Sequence, residues 1–386
     1  MGVRFLFSLA ALTAFIDPQD HPKLRFQSVT AGTTHTCGVT ATVAYCWGDN
    51  GYGQLGTGNE HPSAVPVAVA GGETFASVSA GDGFTCGVTT SGEGYCWGRS
   101  VYTQSQGGRP PRIDTPAPVS GSLHFVQVSA GANHACGVTT DRAVYCWGAN
   151  ALGQLGSGDS VASPAPRPVA GRAPFESVSA GWDHTCAVAT DGAAYCWGNN
   201  RFGQLGDGSQ RTSYAPRPVV QVHDFLSVSA GGHHTCGVTA RGIGYCWGDN
   251  FHSQFGRVAE GTSRLGSWAP VPLQLGHRLV AVSAGGLHTC ALTFASIDRV
   301  SCWGANGDYQ LGVRTFVRPD EVVQSDAAFR GIEFVQIDAG DYHTCGTTEE
   351  GVIYCWGRNE DGQLGDGTLR VPVRPARVTE PDSTVD

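Results

Sequence analysis

Fourteen cysteines constrain this chain more than any other feature. They fall into seven pairs: Cys37 with Cys46, Cys86 with Cys96, Cys136 with Cys146, Cys186 with Cys196, Cys236 with Cys246, Cys290 with Cys302, and Cys345 with Cys355. The first members of successive pairs lie 49, 50, 50, 50, 54 and 55 residues apart. Spacing that regular is an internal repeat, and a period of about 50 residues implies a solenoid, an array or a propeller. Aligned on the cysteines, the units begin at Phe26, Phe75, Phe125, Phe175, Phe225, Leu279 and Phe334.

Each unit contains four short apolar runs separated by turn signals. In unit four they are residues 175–180, 184–189, 193–197 and 216–220. The step Thr190-Asp191-Gly192 is a hairpin signal, because glycine supplies the positive φ of a tight turn. Prolines in the last run exclude helix and place that run at a sheet edge. Four strands per unit, repeated seven times, predict an all-β, seven-bladed β-propeller with about 50 residues and four antiparallel strands per blade. Neither end of the array reads as a polar cap, which favours a closed ring over an open solenoid. Closure is expected from pairing of residues 26–31 with residues 374–378, since an unclosed ring leaves strand edges open.

Composition narrows the function. Lys and Arg number 24 against 33 Asp and Glu, with a net charge of −9 and Lys23 the single lysine. No basic patch capable of neutralising a phosphate backbone is visible, so nucleic acid is not an expected partner. The segment Gly51-Tyr52-Gly53-Gln54-Leu55-Gly56 matches G-x-G-x-x-G, but it is the ordinary blade loop and no βαβ unit follows. No cofactor and no catalytic centre are expected.

Within a unit the two cysteines lie equally far from the hairpin tip, as Cys186 and Cys196 do from Asp191. Directly opposed antiparallel residues have Cα atoms about 4.5–5.5 Å apart, within disulfide range. Seven intra-blade bridges are therefore expected, and these require an oxidising compartment. Two other readings remain open: free buried thiols, and zinc ligation by His184 and Cys186, which share a strand face. Residues 1–16, with Arg4 ahead of an apolar stretch, read as a secretory signal peptide. Residues 17–25 form a short lead-in, 26–380 the propeller and 381–386 an acidic tail. No other segment is long and apolar enough to span a membrane.

The cadence A-G-x-x-H-T…Y-x-W-G-x-N-x-x-G-Q-L-G resembles the repeat of the regulator of chromosome condensation family of seven-bladed propellers. It runs from Phe26 to about Val378, with Trp at the same place in all seven units and Gln seven residues later. Relatives of this kind include an exchange factor for a small GTPase, a plant ultraviolet-B photoreceptor and a bacterial enzyme inhibitor. The resemblance implies action through a propeller face. The recurring histidines (His35, His134, His184, His234, His288, His343) and the frame tryptophans are expected to be structural.

Candidate function lies where the frame varies. Between the recurring Gly and His of each unit sit two free positions, among them Asp82, Asn133, Trp182 with Asp183, His233, and Asp341 with Tyr342. Seven equivalent strand starts open on one end of a ring, so these residues are expected to form an acidic, aromatic annulus. Such an annulus suits a protein or other macromolecule carrying a basic patch. The irregular stretches 99–118, 252–268, 296–299 and 313–330 are a second candidate, because loops on a rigid scaffold carry function. The expected function is a non-catalytic, exported binding scaffold. The alternatives are guanine-nucleotide exchange on a small GTPase and inhibition of an extracellular enzyme.

Overall fold

In the computed structural model the described residues are 24–100, 112–171, 173–258, 263–294, 300–313, 323–324, 329, 331–372 and 374–379. The expected signal peptide, most of the lead-in, the acidic tail, and the insertion at 296–299 lie outside them. So do parts of the loops at 99–118, 252–268 and 313–330.

The described chain forms seven four-stranded antiparallel sheets, each built from consecutive strands. In blade four the strands are Phe175–Ala180, His184–Ala189, Ala194–Gly198 and Ser213–Pro218. The fourth starts earlier than its prolines suggest, because a bulge after Cys196 lets Ser213 pair with Gly198. The second strand is buried at all six positions. It has a neighbouring blade on each face, which is why the sequence shows no polar alternation there. The proline-bearing fourth strand is the outer edge.

The cysteines of each pair face each other across the second and third strands, as Cys186 faces Cys196. All seven pairs are bridged within their blades, and none of the fourteen thiols is free. In blades one to three the bridges join Cys37 to Cys46, Cys86 to Cys96, and Cys136 to Cys146. In blades four and five they join Cys186 to Cys196 and Cys236 to Cys246. In blades six and seven they join Cys290 to Cys302 and Cys345 to Cys355. The bridged Cα atoms are 4.0–4.1 Å apart, closer than the expected ladder spacing.

The core is divided into slabs between neighbouring blades. Val138, Val144 and Leu155 of blade three pack with Phe175, Val178 and Trp197 of blade four. The expectation for ring closure needs correcting. The first strand, Ser28–Ala31, pairs with His35–Val39, and the last, Ala376–Arg377, with Ile353–Gly357. The two ends of the ring meet instead in one more slab, where Phe26, Val29 and Trp47 pack on Ile353, Leu364 and Val378. Each blade completes its own sheet, so closure is by packing rather than by a shared ladder.

Three belts of hydrogen bonds run round the ring. Nearest the axis, a side chain of each blade accepts the amide of the next. Ser179 accepts from Ala230 N at 3.0 Å, and Asp338 closes the circuit by accepting from Ala31 N at 2.8 Å. Beside it, backbone bonds of 3.1–3.3 Å link each blade to the next, from Thr33 N to Gly81 O through to Asp341 N to Gly32 O. The recurring glycine makes this approach possible. A Cβ on Gly181 would stand 2.4 Å from Gly231 O, and one on Gly340 would stand 2.3 Å from Gly32 O.

The third belt uses the histidines. His184 Nε2 lies 2.9 Å from Thr235 Oγ1, and that hydroxyl donates to Gln204 O at 2.8 Å. Since the threonine proton is committed to the carbonyl, the histidine must donate, which sets the Nε2–H tautomer. Trp247 Nε1 donates to the same carbonyl at 2.9 Å. The equivalent His–Thr bond occurs at six of the seven interfaces. At the seventh, between blades two and three, both partners are replaced: Phe84 stands for the histidine and Ala135 for the threonine, packed in one apolar cluster. Substituting both avoids leaving one member of the pair buried without the other.

Candidate partner-binding face

The turns between first and second strands all open on one end of the ring. There the axis mouth, a small cavity of about 80 Å³, is lined by the axial Ala-Gly steps with Thr33, Asp82, Ala132, Trp182 and Asp341. The expected annulus residues are thus brought together, but they are not free. Trp182 reaches across the axis, and its Nε1 donates to Asp341 Oδ1 at 2.7 Å. Thr33 Oγ1 donates to the other carboxylate oxygen, also at 2.7 Å. Burial pushes the Asp341 carboxyl above its ordinary range, while these two bonds pull it back. Trp182 is accordingly a half-buried plug across the axis, neither an exposed anchor nor packed between blades.

The other rim acids are similarly engaged. Asp82 pairs with Arg99 at 2.9 Å, and the same guanidinium holds Asn133 Oδ1 at 3.1 Å and Ala132 O at 2.7 Å. Asp183 is more than half-buried, and burial raises its carboxyl although His233 nearby opposes the shift. Tyr342 lies under Arg358, whose guanidinium carbon is 5.5 Å from the ring centroid. The expected acidic bias is therefore largely spent inside the rim itself.

From Trp182 an aromatic series runs outward. Its ring meets His233 edge-on at 5.0 Å, and His233 stacks on Phe202 at 4.9 Å. Burial lowers the His233 pKa, with Asp183 and Asp249 opposing. Beyond Phe202 an open groove of about 1030 Å³ separates the loops of blades four and five. Its walls include Arg201, Phe202, Gln210, Phe251, Leu265 and Trp268. Phe251 is 70% exposed, Leu265 73% and Trp268 50%. The Trp268 backbone is held by Gly208 N, which donates to its carbonyl at 2.9 Å. Gly203, at φ +83°, lets the indole lie close, since a Cβ there would come within 2.6 Å of Trp268 Cδ1. Sequence reasoning reached only part of this groove, through the irregular stretch 252–268. Arg99 opened the irregular stretch 99–118 and ends the strand Gly94–Arg99, whereas Arg201 and Phe202 carried no signal, because they sit in a frame loop at ordinary variable positions.

Among the described residues no group of three or more His, Cys, Asp or Glu side chains is placed to hold a metal ion. The zinc alternative fails on geometry: His184 is bonded to Thr235 and Cys186 is in a bridge. No helix of the described residues is long and apolar enough to cross a membrane.

The profile of the RCC1-like domain matches residues 11–275, and RCC1 repeat profiles match 279–310, 334–363 and 350–385. The chain belongs to the RCC1-like propeller family. Within it, the chain is 41% identical over 88 residues to the human protein named probable E3 ubiquitin-protein ligase HERC4, covering 23% of this chain and 8% of that one. It is 34% identical over 114 residues to the ultraviolet-B receptor UVR8 of Arabidopsis thaliana, covering 29% of this chain and 25% of the receptor. The chain thus spans a quarter or less of these relatives' length. Among solved structures, human WBSCR16 superposes with a TM-score of 0.77 at 23% identity, over 89% of this chain and 96% of that one. That likeness confirms an RCC1-like fold and goes no further.

Proposed function

We propose that this RCC1-like chain is an exported, non-catalytic scaffold that binds a protein through the end of the propeller carrying Trp182. One observation carries the reading. A rigid ring presents, on that end, a continuous apolar series from the axis to a wide groove, with large exposed side chains at its outer limit. Exposed patches of this kind mark interaction sites. A ring fastened by three belts and seven bridges loses little freedom on docking. The buried histidines and all fourteen cysteines are committed to the frame, which leaves them without a chemical role. Seven bridges also support an oxidising compartment. An exchange factor for a small GTPase would act in a reducing compartment, where such bridges do not form.

Two measurements test this. Thiol counting on the denatured, unreduced protein from its native source should find none, and fourteen free thiols would overturn the export reading. Partner capture should be compared among wild type, a variant with Trp182→Ala and Tyr342→Ala, and a variant with Phe251→Ser and Trp268→Ser. Loss in either variant, with folding intact, supports the face, while equal capture by all three refutes it.

A further inference from the structure

Exposed arginines stand in and beside the groove between blades four and five, although the chain as a whole is acidic. The chain has a net charge of −9, yet Arg201 lines the groove, Arg211 follows its lining residue Gln210, and Arg264 precedes Leu265. All three are exposed. Each lacks an ion-pair partner among the described residues, whereas Arg99, Arg167 and Arg358 are paired. Arg201 is held only by its own loop, its guanidinium carbon 5.9 Å from the Phe202 ring centroid. Two carboxylates lie nearby, fewer than the arginines, and both are bonded within their own loops, Asp207 accepting from Ser209 N at 3.0 Å and Asn200 Nδ2 at 3.2 Å. Asp249 is buried, accepting from Gln254 Nε2 at 3.0 Å and from Phe251 N at 3.2 Å.

We infer that this groove takes an extended acidic polypeptide segment bearing an aromatic or aliphatic side chain. The inference rests on the binding-face reading above and specifies its partner. Exposed aromatic faces and arginines are the side chains that dominate binding energy when a partner buries them. A guanidinium fork donates two parallel hydrogen bonds to a carboxylate, which a lysine could not do. Phe251, Leu265 and Trp268 offer the apolar seat, and the arginines along its margin set the sign of the partner's charge. The aperture is open and far too large for one side chain, which suits a segment rather than a small ion. This replaces the basic partner expected from the rim acids, since Asp82 is paired and Asp341 is half-buried and accepts from Trp182 and Thr33.

The test uses the full chain with its bridges intact and a short fluorescent peptide that alternates glutamate with leucine and phenylalanine. Fluorescence anisotropy should report saturable binding that weakens at least about tenfold when Arg201→Glu and Arg264→Glu are combined. It should weaken similarly when ionic strength rises from about 50 to about 500 mM. Phe251→Ser should also weaken it, and all the substituted side chains are exposed, so the fold should survive. Equal affinity for the same peptide with lysine in place of glutamate would overturn the proposal. Undetectable binding would do so too, as would binding of heparin that Phe251→Ser leaves unchanged, because that would mean charge alone. The two readings fail separately. If the peptide fails while groove variants still lose the captured partner, the face stands and the acidic chemistry falls. If partner capture survives every groove and rim variant, the face itself is refuted.

Discussion

Acidification from pH 7 to pH 5 should destabilise the ring through its buried histidines. Burial lowers the pKa of His134, His234, His288 and His343 to about 3 and that of His35 to about 4. His184 is shifted in the same direction. The hydrogen-bond pattern gives an independent reason. With Nε2–H donating to threonine, each Nδ1 is an acceptor without a partner, and protonation would bury a donor that has none. A folded pKa below the unfolded 6.5 means that the unfolded chain binds the extra protons. Stability is then complete above 6.5 and is lost as pH falls from there toward the folded values.

Linkage puts the loss between pH 7 and pH 5 at about 2 kcal/mol per histidine. Five such sites sum to on the order of 10 kcal/mol, comparable to the whole stability of a typical domain. Asp183, Asp308, Asp338, Asp341 and Asp361 oppose this, since burial raises all five carboxyls and acid favours the folded form at those sites. The net loss is therefore smaller than the histidine sum. Guanidinium unfolding at pH 7 and pH 5, with bridges intact, should show the midpoint fall steeply. A double substitution reads out one site. His234→Phe with Thr289→Ala reproduces the pair found at Phe84 and Ala135, and should remove about 2 kcal/mol of the pH-dependent loss. A midpoint unchanged between the two pH values, or an unaltered pH dependence in the double variant, would refute the neutral-histidine belt.

Three further expectations can be checked by thermal or chemical unfolding. Gly181→Ala forces a Cβ against Gly231 O and should destabilise by about 1–3 kcal/mol, whereas a tolerated alanine would mean that the backbone belt can yield. Cys186→Ser with Cys196→Ser should leave a folded propeller weakened by about 3 kcal/mol, the chain-entropy value for a loop of this size. Trp182→Phe removes the donor to Asp341 and should cost about 0.5–1.5 kcal/mol, the net value of one hydrogen bond; no change would show that the latch contributes nothing to the ring.

The architecture was legible because it is written seven times. Cysteines spaced evenly about a hairpin tip, a tryptophan at one place in every unit and prolines in every last run are local signals, and repetition separates them from coincidence. Pairing of Cys186 with Cys196 was expected from strand geometry, because residues opposed in a hairpin lie within disulfide range. The same held for Cys290 with Cys302, although two extra residues separate that pair, since the strands His288–Thr293 and Val300–Gly304 keep the register of the other blades. The sequence also marked where variation concentrates, at Trp182, Asp183, His233 and Tyr342.

What those positions do was decided only by closing the ring. Trp182 and Asp341 stand 159 residues apart, and nothing local says that their blades face each other across the axis. Arg99 neutralises Asp82 by reaching from a third-strand end, a contact invisible to any count of rim acids. Closure itself needed no strand shared between the two termini, because each blade completes its own sheet and the first and last blades join by the same packing as every other pair. The groove between blades four and five arises from two loops on different sheets, so its shape and its unpaired arginines depend on the distance between blades. That distance is set where the axial glycines allow carbonyls of neighbouring blades to approach, and it is a property of the whole ring rather than of any one repeat.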